Sequence, residues 1–424
     1  MPNKNFVNFH ILMSHSPSCL NRDDMGMQKT AIFGGTRRVR ISSQSLKRAM
    51  RTSEYYQDHF PEKSIRTRDL ELLSEKFYEE LLARGYEIEK KWVEKAIQVF
   101  SGHSVSADDD ESSDDETTQE EPKEKQKNVA VAPWTVSEFK VICDHVIRVY
   151  QEELTEKEFE ELKKAIDKEN KRKATAKKPK KLPEEIKDEF LFKKVKKEVE
   201  ANKQALVKAC GQATDIALSG RMATSGLMSN IEAALAVAHV ITTHTVEGDL
   251  DWFTAVDDLQ ELGSGHLDTQ EFSAGVFYRY ASLNLKQLQV NLGLLPNIKA
   301  EETAETRAEA LKIATHTLHL LATVIPDAKR NSTAADNPAD FVCVALSDQP
   351  ISLANAFEEP VKSNKGFLKP SIEQFISYKE KVYQGYELQD QVAFFSLDEQ
   401  KDLQGTACKT LSSLENWLKL DGKE

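Results

Sequence analysis

Seven segments of strong apolar periodicity lie along this chain, and the first six come in an order that few folds satisfy. Residues 5–13 set Val7, Phe9 and Ile11 against Asn8 and His10, the two-residue repeat of a strand. At 44–56 the spacing of Leu46 and Met50 predicts a helix. Residues 233–246 are rich in β-branched side chains, and 272–285 carry Phe277, Tyr278 and Tyr280; both predict strands. An amphipathic helix is expected at 303–324, a buried strand at 341–347 and a further helix at 371–382.

Up to residue 347 the order is strand, helix, strand, strand, helix, strand. It predicts an α+β fold with a modified ferredoxin-like sheet, the order shared by RNA-recognition domains. Two insertions interrupt it. The first carries helical patterns at 68–84, 90–100 and 136–153. It then runs into a Glu/Lys-dominated helical stretch, 155–203, broken by KRKATAKKPKK at 171–181. Residues 104–128 are polar and acidic, too poor in apolar side chains to fold alone. A short strand is expected at 215–218, before the small-residue turn SGRMATSG at 219–226. The second insertion, 247–271, is too long for a hairpin turn, and loops of this length in a compact domain are usually functional. Trp252 and Phe253 are adjacent in it, so in an extended arm one packs inward and the other points out. Sheets of this order often present aromatics to bases. Residues 273–278, SAGVFY, do not match the RNP1 consensus, however, and Phe277 and Tyr280 are expected in the core.

The stretch 31–53, AIFGGTRRVRISSQSLKRAMRTS, holds Arg37, Arg38, Arg40, Lys47, Arg48 and Arg51 and no acid. Gly34-Gly35 predicts a turn into a short basic extended segment, and Ser42 or Ser43 offers a helix N-cap. Free amides at a helix start point toward an anion. Lys47 and Arg51, four residues apart, share a helical face from which both could reach the same phosphate backbone. A merely solvated face would mix both signs of charge.

The net charge of −12 does not contradict this, because 108–121 alone carries nine acids and leaves −3 elsewhere, and screening confines charge effects to roughly 8–10 Å. Five scattered cysteines without a C-x-x-C pair read as free thiols of a reducing cytoplasm. No apolar run reaches membrane-spanning length, and the N-terminus has too brief an apolar core for a secretory signal. Phosphate-loop, zinc-protease and nucleophile-elbow signatures are absent. His10, His15 and His316 share no ligand spacing, so neither a metal nor another cofactor is expected. Asp23 and Asp24 are the best catalytic candidates, with turn capping or an Arg22–Asp23 surface pairing as their alternative role.

The runs SHSPSCLNRDDMGMQK, AIFGGTRRVRISSQSLKRAMR, DIALSGRMATSG, ITTHTVEGDLDWFTAVDDLQE and TQEFSAGVFYRYASLNL closely resemble the CasC-type backbone subunit of the type I-E CRISPR Cascade complex. The resemblance implies a hand-shaped protein. Its RNA-recognition-like palm takes residues 1–56, 205–246 and 272–424; helical fingers take 57–204 and a thumb arm 247–271. It implies a non-enzymatic partner of CRISPR RNA, target DNA, further copies of itself and other Cascade subunits. Arg22, Lys29, Ser42, Gln44, Lys47 and Arg51 would hold the guide's phosphates and riboses. Met222 and Phe253, with Thr254, would wedge at a displaced base. Lys193, Lys194 and Lys197 would meet the target duplex, but the next position in that series is Glu200. The acidic stretch at 108–121 and much of 155–185 have no counterpart in the shorter family members. The competing reading is a guide-bound ribonuclease using Asp23 or Asp24, like the target-cutting backbone subunits of type III systems.

Overall fold

All seven residues of the strand Phe341–Ser347 are buried, as expected of a strand covered on both faces. It lies next to Phe6–Ser18, which in turn pairs with Ser264–Asn284, and Ser264–Asn284 takes both Leu235–Val237 and Val240–Thr242 on its far edge. Every one of these pairings is antiparallel, and the spatial order is the ferredoxin-like one that the sequence predicts. Two further strands, Gln391–Ser396 and Thr406–Cys408, extend the sheet beyond Phe341–Ser347, the last of them parallel. The hairpin Thr30–Phe33/Thr36–Ile41 extends it at the other side. This computed structural model describes residues 4–60, 62–101, 132–172, 180–222, 230–256, 264–326, 328–398 and 403–423. The stretches 104–128 and 223–226, and most of 171–181, lie outside them.

The chain forms two units, and the sheet belongs to the one made of Met1–Pro61, Ala233–Val290 and Leu294–Glu424. Alternation along Phe6–Ser18 decides what each face buries. Leu12 joins Tyr278, Phe341 and Cys343 under Ile372 and Phe375 of the helix Leu368–Gly385. The opposite face carries Arg279, whose guanidinium donates to the carbonyls of Leu321 (3.0 Å) and Val324 (2.8 Å) at the end of the helix Ala304–Thr323. A buried cation there answers the negative end of the helix dipole.

Three elements of this unit depart from the sequence reading. The helix expected at 44–56 is two helices, Ser43–Thr52 and Glu54–His59, because the Ser53 hydroxyl accepts from the Tyr56 amide (3.2 Å) and starts a new helix. The single strand expected at 233–246 is interrupted at Ala238 and His239, where His239 Nδ1 accepts from the Ser43 amide (3.3 Å). Within the insertion at 247–271, Asp249–Val256 is a strand that pairs along an extension of Ser264–Asn284, making a two-stranded arm.

The second unit, Glu62–Glu232 with Asn291–Gly293, is mainly helical. Its core joins Phe77 of Leu70–Ala83, Phe100 of Lys90–Ser101, Phe139 of Val136–Gln151 and Val195 of Pro183–Ala201 around Trp134. Asp69, Thr135 and Thr155 cap three of its helices through side-chain oxygens. The strand expected at 215–218 is instead part of the helix Thr214–Ser219. Thr214 to Leu218 are all buried, so apolar content there could not separate helix from strand. Asp215 accepts from the Ser64 amide and hydroxyl at 2.9 and 2.6 Å. Among the described residues no helix is long and apolar enough to cross a membrane.

Candidate nucleic-acid interface

The basic stretch folds as hairpin and helix, and backbone geometry fixes where its cations go. Gly34 and Gly35 both take positive φ (58° and 73°), the requirement of a two-residue hairpin turn of the primed type. A side chain at Gly34 is excluded on a second count, since its Cβ would lie 1.7 Å from the Glu358 carbonyl oxygen. Among the arginines of Thr36–Ile41 the structure draws a distinction the sequence does not. Arg38 is fully buried, donating to the carbonyls of Thr242 and Phe357 (both 3.0 Å) and to the Thr36 hydroxyl (2.9 Å). Burial pulls its pKa down, with Glu358 opposing. Arg38 is therefore structural, whereas Arg37 is exposed and Arg40 half-buried.

Ser42 is the N-cap of Ser43–Thr52, its hydroxyl accepting from the Ser45 amide (3.2 Å). Two of the amides expected to be free at this helix start are taken: Ser42 N–H donates to Asn21 Oδ1 (2.9 Å) and Ser43 N–H to His239. An anion here would be held mainly by cations. The helix has no acid in its first turn and Arg51 in its last. Lys47 and Arg51 are half-buried, and the Lys47 ammonium reaches the Leu235 carbonyl (3.4 Å), while Gln44 and Arg48 are exposed.

The loop before the hairpin is stitched to the same region. Arg22 bridges to Gln28, Lys29 N–H donates to the Asn21 carbonyl (2.8 Å), and Arg40 N–H donates to the Lys29 carbonyl (2.9 Å). Arg22, Lys29 and Ser42 thus come together through bonds that link loop, hairpin and helix, and Gln44 follows two residues into the helix. Asp23 Oδ1 accepts from the amides of Met25 (3.0 Å) and Met27 (2.9 Å), a turn-capping arrangement; Asp24 is exposed. Sequence reasoning missed Gln28 and Glu271, joined where the arm leaves the sheet: Glu271 Oε2 accepts from the Gln28 amide at 3.1 Å.

On the arm, Phe253 and Thr254 stand opposite Asp268 and Leu267, and their side chains lie outside the described residues. Trp252 is 66% exposed, and Leu250, two residues back on the same face of the strand, is exposed as well. In the helical unit Met222 is 84% exposed. The three lysines of Pro183–Ala201 are not alike. Lys194 makes a 2.8 Å ion pair with Glu158 and, with the Thr155 amide, draws that carboxyl down to about 2. Lys193 and Lys197 are exposed, with exposed Glu200 on the same helical face.

Fold and surface together define an RNA-recognition-type α+β protein with a helical insertion, a two-stranded arm and a cationic face free of acids on its hairpin and first helix. Residues 7–419 match the model of the CT1975-like protein family, and the chain belongs to that family. It is similar over 99% of its length, at 25% identity and a TM-score of 0.65, to the whole of a chain in a solved structure titled "CRISPR RNA-guided surveillance complex, pre-nicking". A second chain, from a "CRISPR RNA-guided surveillance complex", matches at 20% identity and a TM-score of 0.51, again over 99% of this chain and 100% of that one, and attests the fold alone. No curated protein gives a significant match. The resemblance to CasC-type Cascade backbone subunits is borne out.

Proposed function

We propose that this chain is a non-catalytic backbone subunit of a cytoplasmic type I-E Cascade complex. It binds CRISPR RNA, assembles with further copies of itself and with other Cascade subunits along the spacer, and presents the guide for pairing with invading target DNA. The observation that carries this reading is the acid-free basic surface of the hairpin and of Ser43–Thr52, in a chain 25% identical to one from an RNA-guided complex. Cations, hydroxyls and amides grip phosphate and sugar, which suits a protein that must hold any guide and leave its base edges free. Arg22, Lys29, Ser42, Gln44, Lys47 and Arg51 make those contacts. Met222 and Phe253, with Thr254, wedge at a displaced base, where stacking is worth ~1–3 kcal/mol in a sequence-tolerant way. Lys193 and Lys197 meet the target DNA, with Lys194 held back by Glu158.

The ribonuclease reading has less support, because Asp23 already accepts two backbone amides of its own loop. Incubating the assembled complex with complementary RNA and Mg²⁺ separates the two. Intact RNA is the expected result. Regularly spaced cuts that disappear in Asp23→Ala or Asp24→Ala would overturn the non-catalytic assignment.

A further inference from the structure

Glu271 is a buried acid at the root of the arm, 8% exposed and opposite Leu250 in the ladder. Its Oε2 accepts from the Gln28 amide at 3.1 Å. The Gln28 side chain then closes a reciprocal pair with Ser273, Nε2 donating to Oγ (2.8 Å) and Oγ donating to Oε1 (3.0 Å). Gln28 is itself bridged to Arg22 and is followed by Lys29. On the arm side the chain makes room for this carboxylate: a Cβ at Gly248 would lie 2.0 Å from Glu271 Oε1. Next to Glu271, Gln270 Oε1 accepts from Lys329 Nζ at 2.6 Å. A carboxylate bonded to the loop that bears Arg22 and Lys29 weakens anion binding there if charge is all that matters. Its geometry supplies something else, namely a fixed relation between the Arg22–Lys29 loop and the arm.

We propose that Glu271 is a positioning residue for RNA. Through Gln28 and Ser273 it locks the loop bearing Arg22 and Lys29 to the root of the arm, so that loop and arm meet the guide in one register. The inference rests on the RNA-binding reading of this face, and the test separates the two.

The sign of the effect is diagnostic. Removing a negative charge strengthens RNA binding if Glu271 acts only through its field; removing a latch weakens it. The measurement is a salt titration of full-length protein binding a labelled mixed-sequence single-stranded RNA of spacer length. Glu271→Ala is expected to bind more weakly and to give a log–log salt slope shallower by about 1.4, two phosphate contacts at ~0.7 each, although no cation has been removed. Glu271→Gln keeps an acceptor for the Gln28 amide and is expected to restore the parent slope. Gly248→Ala displaces the carboxylate without changing any charge and should reproduce the Glu271→Ala loss, which covers the case of a poorly folded Glu271→Ala. Arg22→Ala/Lys29→Ala is the reference. If it leaves the slope unchanged, this loop does not hold RNA and the underlying reading fails here. If it lowers the slope while Glu271→Ala and Gly248→Ala bind as the parent or more tightly, the latch is overturned and the RNA reading stands.

Discussion

The guanidinium of Arg221 and the carboxylate of Glu138 meet in two hydrogen bonds, 2.6 and 2.9 Å, with both side chains sealed from solvent. The Arg221 backbone also exchanges two 2.9 Å bonds with Ile231, so the residue next to exposed Met222 is held by side chain and backbone alike. Removing one member of a buried ion pair costs about 3–5 kcal/mol. Glu138→Ala should therefore lower the melting temperature sharply, while the apolar double replacement Glu138→Leu/Arg221→Met recovers most of it. A double variant no more stable than the single one would show that something other than the broken ion pair is responsible.

Lys47 and Arg51 project from an acid-free helix, so their contribution to RNA binding should be electrostatic and countable. Replacing both with Ala is expected to shallow the salt slope by about 1.4, the value for two single-strand phosphate contacts. An unchanged slope in a titration of RNA retention would put the guide elsewhere.

At the arm, shape should matter more than charge. Met222 is almost wholly exposed and makes little core, so Phe253→Ala combined with Met222→Ala should leave the RNA-free protein melting near the parent temperature. The assembled complex should lose the regularity of its nuclease footprint. If Phe253 instead fills a core, the isolated double variant loses ~3–5 kcal/mol. Such a loss, together with a normal periodic footprint, would refute the wedge.

Two buried histidines set an acid limit. Burial draws both His10 and His15 down from 6.5 to about 3, with Lys379 adding to the effect at His10 and Arg279 at His15. Between 6.5 and about 3 the unfolded chain binds protons at these positions that the folded protein refuses, so stability rises with pH there. Their contribution is complete above 6.5 and is lost as pH falls toward 3, at about 1.4 kcal/mol per pH unit for each histidine. Denaturant unfolding of His15→Gln between neutral pH and pH 4.5 should lose one histidine's share of the slope. A slope identical to the parent's would mean that His15 is not excluded from protonation.

Much of the sheet was legible because its strands bury one or both faces. Phe341–Ser347 is continuously apolar and Phe6–Ser18 begins with a clear alternation. The arm was not legible as a ribbon. Ser264 to Gln270 is mostly polar, and its strand character comes from pairing with Asp249–Val256 rather than from composition. Lys47 and Arg51 could be read from helical spacing alone. Arg38 could not be told from Arg37, because the carbonyls that receive it belong to Thr242 and Phe357, more than 200 residues away. Glu271 and Gln28 are 243 residues apart, and no local pattern announces a carboxylate that serves a distant amide.

The claim that this chain is built on a guide RNA is tested most directly by the nucleic acid that leaves the cell with it. The full-length protein, affinity-purified from cells that carry its CRISPR array and partner genes, should bring down RNA. After extraction, that RNA should run as one narrow length class on a denaturing gel and vanish with ribonuclease but not deoxyribonuclease. Lys47→Ala/Arg51→Ala should retain less of it at every salt concentration. Protein that elutes free of nucleic acid, or with RNA of heterogeneous length retained equally by parent and variant, would contradict the account.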